Sequence, residues 1–387
     1  MRIGLVVPGF SANAADWCIP ALRDLVGHLA TTDDVRVLAL RYPHRASRYE
    51  VFGAQVTALG GGRRRRARAA VVWGNALLVL AQEHRRRPFD VLHAFWATES
   101  GTLTAIAGRV LGVPTVVSLA GGELVALRDI AYGDQLVTAE RLKIALALRL
   151  ARDVTAGSQY LLDVAAPWLR LRPVDRVHRV PLGVDLHRFQ PTVTTPADDS
   201  PRIVHVASLV PVKDQATLLR AAAGLRDRGL RFSLQIAGAG RLEPELRSLA
   251  MDLGIDRLIH FHGEIPHGEL PGFYQRGDLF VLSSRHEAQS LAVLEAAACA
   301  VPSVGTAVGI VPELAPAAAL AVPPRDPAAL TDALAHALSD LRRNREWGSA
   351  ARWRVEAEFS VERSAERFRR LYHAAIVASG CVNGAGG

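Results

Sequence analysis

Two glutamates stand out in the stretch RHEAQSLAVLEAAACAVPSV, because the residues around them are mostly apolar or small. Glu287 and Glu295 are separated by seven residues. Glu287 lies in a loop after the strand-like segment DLFVLSS, and a helix is predicted to begin near Gln289 or Ser290, which puts Glu295 on its second turn. The first backbone amides of such a helix lack an intrahelical acceptor, so they favour an anion at this place.

This arrangement suits a ligand that carries hydroxyl groups on both sides of a phosphate. Carboxylates accept hydrogen bonds from hydroxyl groups, whereas helix amides hold phosphate oxygens. A sugar nucleotide has that order of groups: sugar, pyrophosphate, ribose. The alternative is that Glu287 is a solvated loop residue and Glu295 lies on an exposed helix surface, and the spacing alone does not decide between the two.

The elements that must position these side chains follow a repeating pattern of short apolar strands and helices. RIGLVVPG, VRVLALRY, FDVLHAFW, VPTVVSLAGG and DVTAGS precede a Pro-, Thr- and Asp-rich stretch at 190–201, and PRIVHVASL, RFSLQIAGAG, LIHFHGE, DLFVLSS and VPSVGT follow it. The alternation predicts two successive doubly wound α/β domains with parallel sheets. Their ligands are expected at the carboxyl ends of the strands, in the cleft between the domains. After about Asp326, a predicted N-cap, the pattern becomes helical.

From about residue 176 to 325 the sequence closely resembles the retaining glycosyltransferases of family 4, which have the GT-B fold. The two glutamates resemble the family's E-x7-E signature, PLGVDLHRFQP resembles its interdomain segment, and LVPVKDQATLLRA resembles its phosphate-lysine segment. Weaker matches in FDVLHAFW, GVPTVVSLAGGE and TAGSQYLLD extend the resemblance over nearly the whole chain.

The resemblance implies two Rossmann-like domains that face each other across a cleft. The expected domains are an acceptor-binding domain at 1–190, a nucleotide-sugar-binding domain at 198–355, and a C-terminal helix at 356–378 that packs back on the first domain. The implied enzyme is a hexosyltransferase that moves a sugar from a nucleotide-diphosphate sugar, most simply a UDP- or GDP-sugar, to a hydroxyl group. The acceptor is expected to be a glycan, a lipid-linked molecule or a small molecule.

The implied mechanism is a front-face transfer that retains configuration and needs no metal and no cofactor besides the nucleotide sugar. The leaving phosphate helps to take the acceptor proton, so no enzyme nucleophile is required. Charge that develops on the diphosphate oxygen is met by cationic side chains and helix amides.

The resemblance also assigns roles to individual residues. Glu287, Lys213 and His93 are the expected catalytic residues: Glu287 holds hydroxyls of the donor sugar, and Lys213 neutralises the diphosphate. The expected donor-binding residues are Glu295 at the ribose together with Gln289, Ser290, Leu291, Ser208, His262, Gly263 and Gly9. Glu123 and Gly121 are the expected acceptor-binding residues. His93 ends a strand, where a structural role is an equal alternative.

The chain departs from the family pattern at several positions. Ser208 stands where the family often has an arginine five residues before the lysine, so either another arginine substitutes or the diphosphate site is weaker. Ala120 replaces a histidine that often contacts the sugar, and Glu123 is the polar substitute. These departures keep open a nucleotide-binding homologue with weakened catalysis. A sugar-nucleotide epimerase shares the fold, although PLGVD and the context of the glutamates argue against it.

The net charge of +8 and the sequence pI of about 10.0 follow from 46 basic and 38 acidic residues among 387. This excess reflects either an arginine-rich composition or an anionic partner. Five arginines follow a glycine triplet and precede an apolar helix: Arg63, Arg64, Arg65, Arg66 and Arg68. They form either a solvated loop or a peripheral contact with anionic lipid. No nucleic-acid-binding motif accompanies the charge, so nucleic acid is not an expected partner.

Three widely spaced cysteines indicate a reducing compartment. The sequence shows neither a signal peptide nor an apolar run long enough to span a bilayer. The expected location is therefore the cytoplasm, with the inner membrane face as the site of any peripheral contact.

Overall fold

Two sheets, each in its own part of the chain, organise the molecule. A computed structural model describes residues 1–16, 18–62, 69–192 and 200–383. Unit 1 comprises Met1–Gly183 together with Val361–Gly387, and unit 2 comprises Val184–Ser360. The sequence analysis places the boundaries at 190, 198 and 356, whereas the two units divide between Gly183 and Val184 and between Ser360 and Val361. The stretch at 190–201 falls mostly outside the described residues.

Unit 1 contains an eight-stranded sheet whose order is β3-β4-β2-β1-β5-β6-β7-β8. Its strands are β1 (Arg2–Gly9), β2 (Asp34–Tyr42), β3 (Ala46–Val51), β4 (Ala54–Leu59), β5 (Val91–Phe95), β6 (Thr115–Leu119), β7 (Asp153–Ala156) and β8 (Val177–Arg179). All neighbouring strands are parallel except β3 and β4. The helices of its N-terminal part are α1 (Pro20–Ala30), α2 (Ala69–Arg86), α3 (Glu99–Leu111), α4 (Thr138–Leu150) and α5 (Gln159–Leu169).

The antiparallel pair β3–β4 is a hairpin for which the sequence analysis assigns no strands. Its turn consists of Phe52 and Gly53, which both have positive φ, at 52° and 74°. Such a turn matches the twist of the flanking strands. Exposed polar residues in β3 hide its strand character, because only Val51 of this strand is buried.

Unit 2 contains a six-stranded sheet whose strands are all parallel, in the order β11-β10-β9-β12-β13-β14. Its strands are β9 (Arg202–Val206), β10 (Ser233–Ala237), β11 (Ile259–Gly263), β12 (Leu279–Leu282), β13 (Ser303–Thr306) and β14 (Ala319–Val322). Its helices are α6 (Gln215–Asp227), α7 (Glu243–Asp252), α8 (Leu270–Tyr274), α9 (Leu291–Ala298), α10 (Val311–Leu314), α11 (Pro327–Leu338) and α12 (Leu341–Glu358). The two sheets confirm the predicted doubly wound fold.

Burial explains why these segments form strands. Every residue of β5, β6, β12 and β13 is buried, as expected for short apolar strands covered on both faces. The helical C-terminal part is also confirmed: the Asp326 carboxylate accepts a hydrogen bond from the Ala329 amide at 2.9 Å and caps α11.

The last helix, α13 (Val361–Asn383), belongs to unit 1. It packs on α1, and Phe368, Leu371 and Tyr372 join the core beside β1 and β5. The crossing of the C-terminal helix back to the first sheet is therefore confirmed. Among the described residues, no helix combines the length and apolar character needed to cross a bilayer.

Candidate active site

Lys213 and Glu287 meet at the carboxyl ends of β9 and β12, two paired strands in the middle of the second sheet. Lys213 ends a 3-10 turn after β9, and Glu287 lies in the loop after β12. The Lys213 ammonium donates to Glu287 Oε1 at 2.6 Å. The strand order reverses between β9 and β12, and this switch point is where doubly wound sheets bind ligands.

Neighbouring hydroxyl groups hold this ion pair in place. The Ser284 hydroxyl donates to Glu287 Oε1 at 2.6 Å, and the Ser283 hydroxyl donates to the Lys213 carbonyl at 2.8 Å. No described residue donates to the other carboxylate oxygen of Glu287. One oxygen is thus anchored to the protein, and the second remains able to accept a hydrogen bond from a ligand hydroxyl.

Glu295 is the fifth residue of α9, and two aromatic side chains hold its carboxylate. Tyr274 donates its hydroxyl to Oε2 at 2.8 Å, and His267 Nε2 lies 2.9 Å from Oε1. Arg188 donates to His267 Nδ1 at 3.3 Å, so the His267 proton is assigned to Nε2 and points at Glu295. Burial and the Glu295 charge raise the pKa of Tyr274 well above its usual range, which keeps the phenol a donor. Each Glu295 oxygen keeps a lone pair for a further donor.

The segment PLGVDLHRFQP contributes a residue that packs against the two side chains that hold Glu295. Phe189 is buried, and its ring lies 5.4 Å from the His267 ring and 6.1 Å from the Tyr274 ring. Sequence analysis did not identify His267 or Tyr274. Neither residue lies in a recognisable pattern, and only the fold brings them to Glu295.

Helix α9 begins at Leu291, one residue after Ser290 and two after Gln289, the predicted starting points. Ser290 occupies the N-cap position with φ 72°, and its side chain makes no capping hydrogen bond. Its hydroxyl is buried without a partner among the described residues. The Ile310 amide donates to the Gln289 carbonyl at 2.8 Å, which fixes the entry to the helix. Since no side chain of its own caps this end, the first amides of α9 suit an anionic ligand.

The turn that carries Lys213 rests on a buried polar pair that sequence analysis missed. Gln215 donates its amide to the Ser208 carbonyl at 3.1 Å and lies 3.3 Å from His205 Nε2. His205 is fully buried, and its Nδ1 lies 2.9 Å from the Val281 carbonyl. Burial lowers the pKa of His205 to about 4, so the ring is neutral near pH 7. The signal was a polar residue inside each of two apolar segments, PRIVHVASL and DQATLLRAAAG.

Ser208 stands at the position where the family pattern often has an arginine, which would be a second cation beside a bound diphosphate. Ser208 itself is exposed. Arg285 follows β12, and its backbone amide donates to the Val212 carbonyl at 2.8 Å, one residue before Lys213. The backbone of this arginine therefore lies next to the Lys213 turn.

His262 and Gly263 end β11, away from the Lys213–Glu287 pair. Gly263 has φ 69°, and its carbonyl accepts a hydrogen bond from the Gly238 amide at 2.7 Å. The exposed His262 ring lies on the face of the sheet, with Nε2 2.7 Å from Gln235 Oε1. Only the backbone of these residues lies at the carboxyl edge of the strands.

The structure favours the structural alternative for His93 in unit 1. The side chain is fully buried, with Nδ1 2.6 Å from the Tyr372 hydroxyl and Nε2 2.7 Å from the Ser118 hydroxyl. Burial lowers the pKa of His93 to about 3. Both nitrogens are engaged by protein groups, so the ring presents none to a substrate, and its contacts tie β5 to α13 and β6.

Glu123 is also fully buried. Its Oε1 accepts hydrogen bonds from the Ala120 amide at 3.0 Å and the Ala97 amide at 3.4 Å, and burial raises its pKa. It thereby joins the loops after β5 and β6. A Cβ atom on Gly121 would lie 2.8 Å from Trp96 Nε1, so this loop is tightly packed. These contacts favour a role in which Glu123 positions the loop over a role in which it contacts the acceptor. Acceptor binding by Glu123 and Gly121 stays a prediction.

The remaining predicted residues lie elsewhere in unit 1. Gly9 ends β1, where a Cβ atom would lie 3.1 Å from the Tyr42 Cβ. The five arginines of the basic run, 63–66 and 68, lie outside the described residues.

Comparison with known families matches both units. Residues 188–354 match the family described as "Glycosyl transferases group 1", and residues 21–188 match "Glycosyltransferase Family 4". A D-inositol 3-phosphate glycosyltransferase of Saccharomonospora viridis is 32% identical over 66% of this chain and 64% of its own length. A mannosyltransferase of Mycolicibacterium smegmatis, named as GDP-mannose-dependent and acting on phosphatidylinositol monomannoside, is 34% identical over 48% of this chain and 53% of its own. The chain thus spans less than two thirds of these relatives.

Solved structures share the fold over nearly the whole chain. Sucrose-phosphate synthase from Thermosynechococcus elongatus superposes with a TM-score of 0.79 at 21% identity, covering 97% of this chain and 99% of that one. Anabaena HepE, solved in complex with UDP, superposes with a TM-score of 0.73 at 17% identity, covering 97% and 100%. At these identities the likeness concerns the fold alone.

Proposed function

Since this chain belongs to the group 1 glycosyltransferases of GT-B fold, we propose that it transfers a sugar from a nucleotide-diphosphate sugar to a hydroxyl acceptor with retention of configuration. The observation that supports this most is the Lys213–Glu287 pair, 2.6 Å apart at the switch point of the second sheet. The pair supplies a cation and a carboxylate that can accept hydrogen bonds from hydroxyl groups, and helix α9 begins four residues after Glu287. A sugar diphosphate needs these groups for its phosphates and its sugar hydroxyls.

In the proposed reaction, the bond between the anomeric carbon and the diphosphate oxygen breaks while the acceptor oxygen bonds to the same face of that carbon. The acceptor proton passes to the leaving diphosphate. Lys213 and the first amides of α9 stabilise the negative charge that develops on the diphosphate. Glu287 accepts from the sugar hydroxyls through its open oxygen, and Glu295 accepts from the ribose.

Arg285 is the proposed second cation at the diphosphate, in place of the arginine that Ser208 replaces. Its backbone hydrogen bond to Val212 keeps it beside the Lys213 turn. Its partly buried position lets the aliphatic part pack while the guanidinium reaches a phosphate.

The test is calorimetric titration of the full chain with UDP, GDP and ADP. We expect one nucleotide to bind to the wild type, with an affinity at least about tenfold lower in Glu295→Ala and in Arg285→Gln, a loss of about 1.4 kcal/mol or more. Glu295→Ala removes the proposed hydrogen-bond acceptor for the ribose hydroxyls, and Arg285→Gln removes the proposed contact with a phosphate.

Two exposed residues of unit 2 supply matched controls, Glu245→Ala on α7 and Arg220→Gln on α6. Both should bind like the wild type. If Glu295→Ala binds the nucleotide as tightly as the wild type, Glu295 does not bind the ribose. If no nucleotide binds to a folded wild type, the chain is a homologue without a donor site. Conversion of the donor sugar without any acceptor would instead identify an epimerase.

The relatives named for inositol 3-phosphate and for phosphatidylinositol monomannoside support a small polyol or a lipid-linked sugar as acceptor class. A lipid-linked acceptor fits the proposed contact of the basic run at 63–68 with anionic membranes. Sedimentation with anionic liposomes at low salt tests that contact. Equal binding by a variant with these five arginines changed to glutamine would exclude it.

A further inference from the structure

The two glutamates of the candidate site are held in different ways. Glu287 receives both of its donors, an ammonium group and a hydroxyl group, on Oε1. Glu295 receives one donor on each oxygen, Tyr274 at Oε2 and His267 at Oε1. Since a carboxylate oxygen has two lone pairs, Glu295 keeps one lone pair on each of its two oxygens. Two acceptors side by side match a ligand that carries hydroxyl groups on two neighbouring carbon atoms.

The orientation of the Glu295 carboxylate depends on these two donors. The terminal torsion of a glutamate side chain has a broad energy minimum, so a carboxylate without fixed partners turns easily. His267 lies in the turn before α8, and Tyr274 ends α8. The Tyr274 side chain is fully buried, and the side chains of His267 and Glu295 are 7% and 12% exposed. Packing therefore fixes both donors, while Glu295 is not closed off from solvent.

The proton on His267 is set by the segment PLGVDLHRFQP. Arg188 of this segment donates to His267 Nδ1 at 3.3 Å and forms an ion pair with Asp185 Oδ2 at 3.2 Å. The other oxygen of Asp185 accepts from the backbone amides of His187 and Arg188, at 2.9 and 3.1 Å. Because Nδ1 accepts a hydrogen bond, the ring carries its proton on Nε2, the nitrogen that faces Glu295.

One guanidinium group ties this segment to the helix that carries Glu295. Arg352 Nη1 donates to the Phe189 carbonyl at 2.8 Å and to the Ala298 carbonyl, the last of α9, at 2.6 Å. The segment that orients His267 and the helix that carries Glu295 are therefore held in a fixed relation to each other.

We propose that His267 and Tyr274 are positioning residues that orient both oxygens of Glu295 toward two adjacent hydroxyl groups, so that the donor site selects a ribonucleotide over its deoxy forms. Ribose carries such hydroxyl groups on its 2′ and 3′ carbons. A site built to bond a hydroxyl group binds an analogue without it more weakly, because a buried acceptor is left unpaired. The inference rests on the proposed function, since it takes Glu295 as the residue that binds the ribose.

The test is calorimetric titration of the full chain with UDP, GDP and ADP, each beside its 2′-deoxy and 3′-deoxy forms. For the nucleotide that binds, we expect the wild type to prefer the ribose form over each deoxy form by at least about tenfold. Tyr274→Phe and His267→Leu each remove one donor, and the loss of a fixed carboxylate should reduce the preference to less than about threefold. His267→Gln keeps an N–H donor near the place of Nε2 and should retain most of the preference.

His178→Leu is the matched control. His178 Nε2 lies 3.3 Å from Asp153 Oδ1 in unit 1, so this variant also removes a pair between a histidine and a carboxylate. It should keep the preference of the wild type. The comparison of three forms of one nucleotide within each protein separates positioning from stability, since a destabilised protein would bind all three forms less well.

The inference is wrong if Tyr274→Phe and His267→Leu keep the wild-type preference, or if His178→Leu loses it as well; if one of the first two does not fold, the other decides. It is also wrong if His267→Gln loses the preference as completely as His267→Leu, because the N–H donor is then not what holds the carboxylate. Binding of a nucleotide by the wild type without any preference for ribose would overturn this inference and leave the proposed sugar transfer standing. If no nucleotide binds to a folded wild type, the proposed function fails, and this inference fails with it.

Discussion

At the scale of single residues, the Lys213–Glu287 pair places a cation and a carboxylate within one hydrogen bond of each other. An ammonium group has three donor hydrogens, so Lys213 can keep its bond to Glu287 and still donate to a phosphate. The pair therefore positions both partners, and a diphosphate adds a contact without having to break one.

Lys213 is unusual in this chain for a compositional reason. Lys143 and Lys213 are its two lysines, among 46 basic residues, so arginine serves at nearly every other basic position. We expect Lys213→Arg to lower kcat/KM at least about tenfold although it keeps the charge, because the planar guanidinium does not replace a compact ammonium held 2.6 Å from Glu287. Steady-state kinetics with the nucleotide sugar identified by titration measure this loss.

Lys143→Arg is the matched control, since Lys143 pairs with Glu140 one turn away on α4 and should be replaceable with less than a twofold change in kcat/KM. An unchanged kcat/KM in Lys213→Arg would mean that the position requires only a positive charge.

At the scale of elements, the entry to α9 depends on the loop that follows β13. Gly309 of that loop has φ 58°, and a Cβ atom there would lie 2.6 Å from the Ser290 hydroxyl and 2.8 Å from the Gln289 carbonyl. The close approach of the two backbones thus requires glycine. It holds the first turn of α9 where the proposed diphosphate binds.

Gly309→Ala is expected to cost more than about 2 kcal/mol of unfolding free energy, because a left-handed backbone strains any L residue by about 1–2 kcal/mol and the steric clash adds to that. Nucleotide affinity should fall as well, since Ser290 and Gln289 must shift. Urea unfolding midpoints and the nucleotide titration measure the two effects.

Gly229→Ala separates strain from clash. Gly229 has φ 75°, but no heavy atom lies within 4 Å of the place that a Cβ atom would occupy there. This variant should show only the cost of backbone strain and should keep its nucleotide affinity. Equal losses of stability in the two variants would mean that the contact with Ser290 and Gln289 is easily relaxed.

At the scale of the whole molecule, both units contain a fully buried neutral histidine: His93 lies in unit 1 and His205 in unit 2. Burial lowers their pKa values from 6.5 to about 3 and about 4. Between these values and pH 6.5 the unfolded chain binds protons that the folded chain does not. The unfolding free energy should therefore fall as the pH drops below 6.5, by up to about 1.4 kcal/mol per pH unit for each histidine.

Other groups titrate in the same range, and buried Glu123 acts in the opposite direction because its raised pKa costs stability as the pH rises. The contribution of His93 is therefore measured as a difference, by urea unfolding of the wild type and of His93→Gln at several pH values between 4 and 7. The slope with pH should be smaller in His93→Gln. The exposed His44→Gln should keep the slope of the wild type, and an equal slope in all three proteins would contradict the prediction.

Much of the architecture could be predicted from the sequence, because short apolar strands and the helices between them have recognisable local hydrophobic patterns. The alternation around RIGLVVPG and DLFVLSS was enough to predict two parallel sheets, and the spacing of Glu287 and Glu295 was enough to place one before a helix and one on its second turn. Strand and helix patterns depend on residues that are close together in the sequence, so they can be recognised without knowledge of the fold. The hairpin β3–β4 was missed, since its exposed polar strand has no such pattern.

The partners of these side chains were decided by tertiary structure alone. Tyr274 and His267 reach Glu295, Gln215 and His205 hold the Lys213 turn, and Tyr372 closes the buried site of His93. The contacts of Glu295 and His93 join residues that are 21 or more positions apart, and those of Gln215 join the end of a strand to the start of a helix, so no strand or helix pattern predicts them. The sequence determined which chemistry was present and on which elements. Only the packing of strands side by side determined that the lysine and the glutamate meet, and that His93 lies out of reach of solvent.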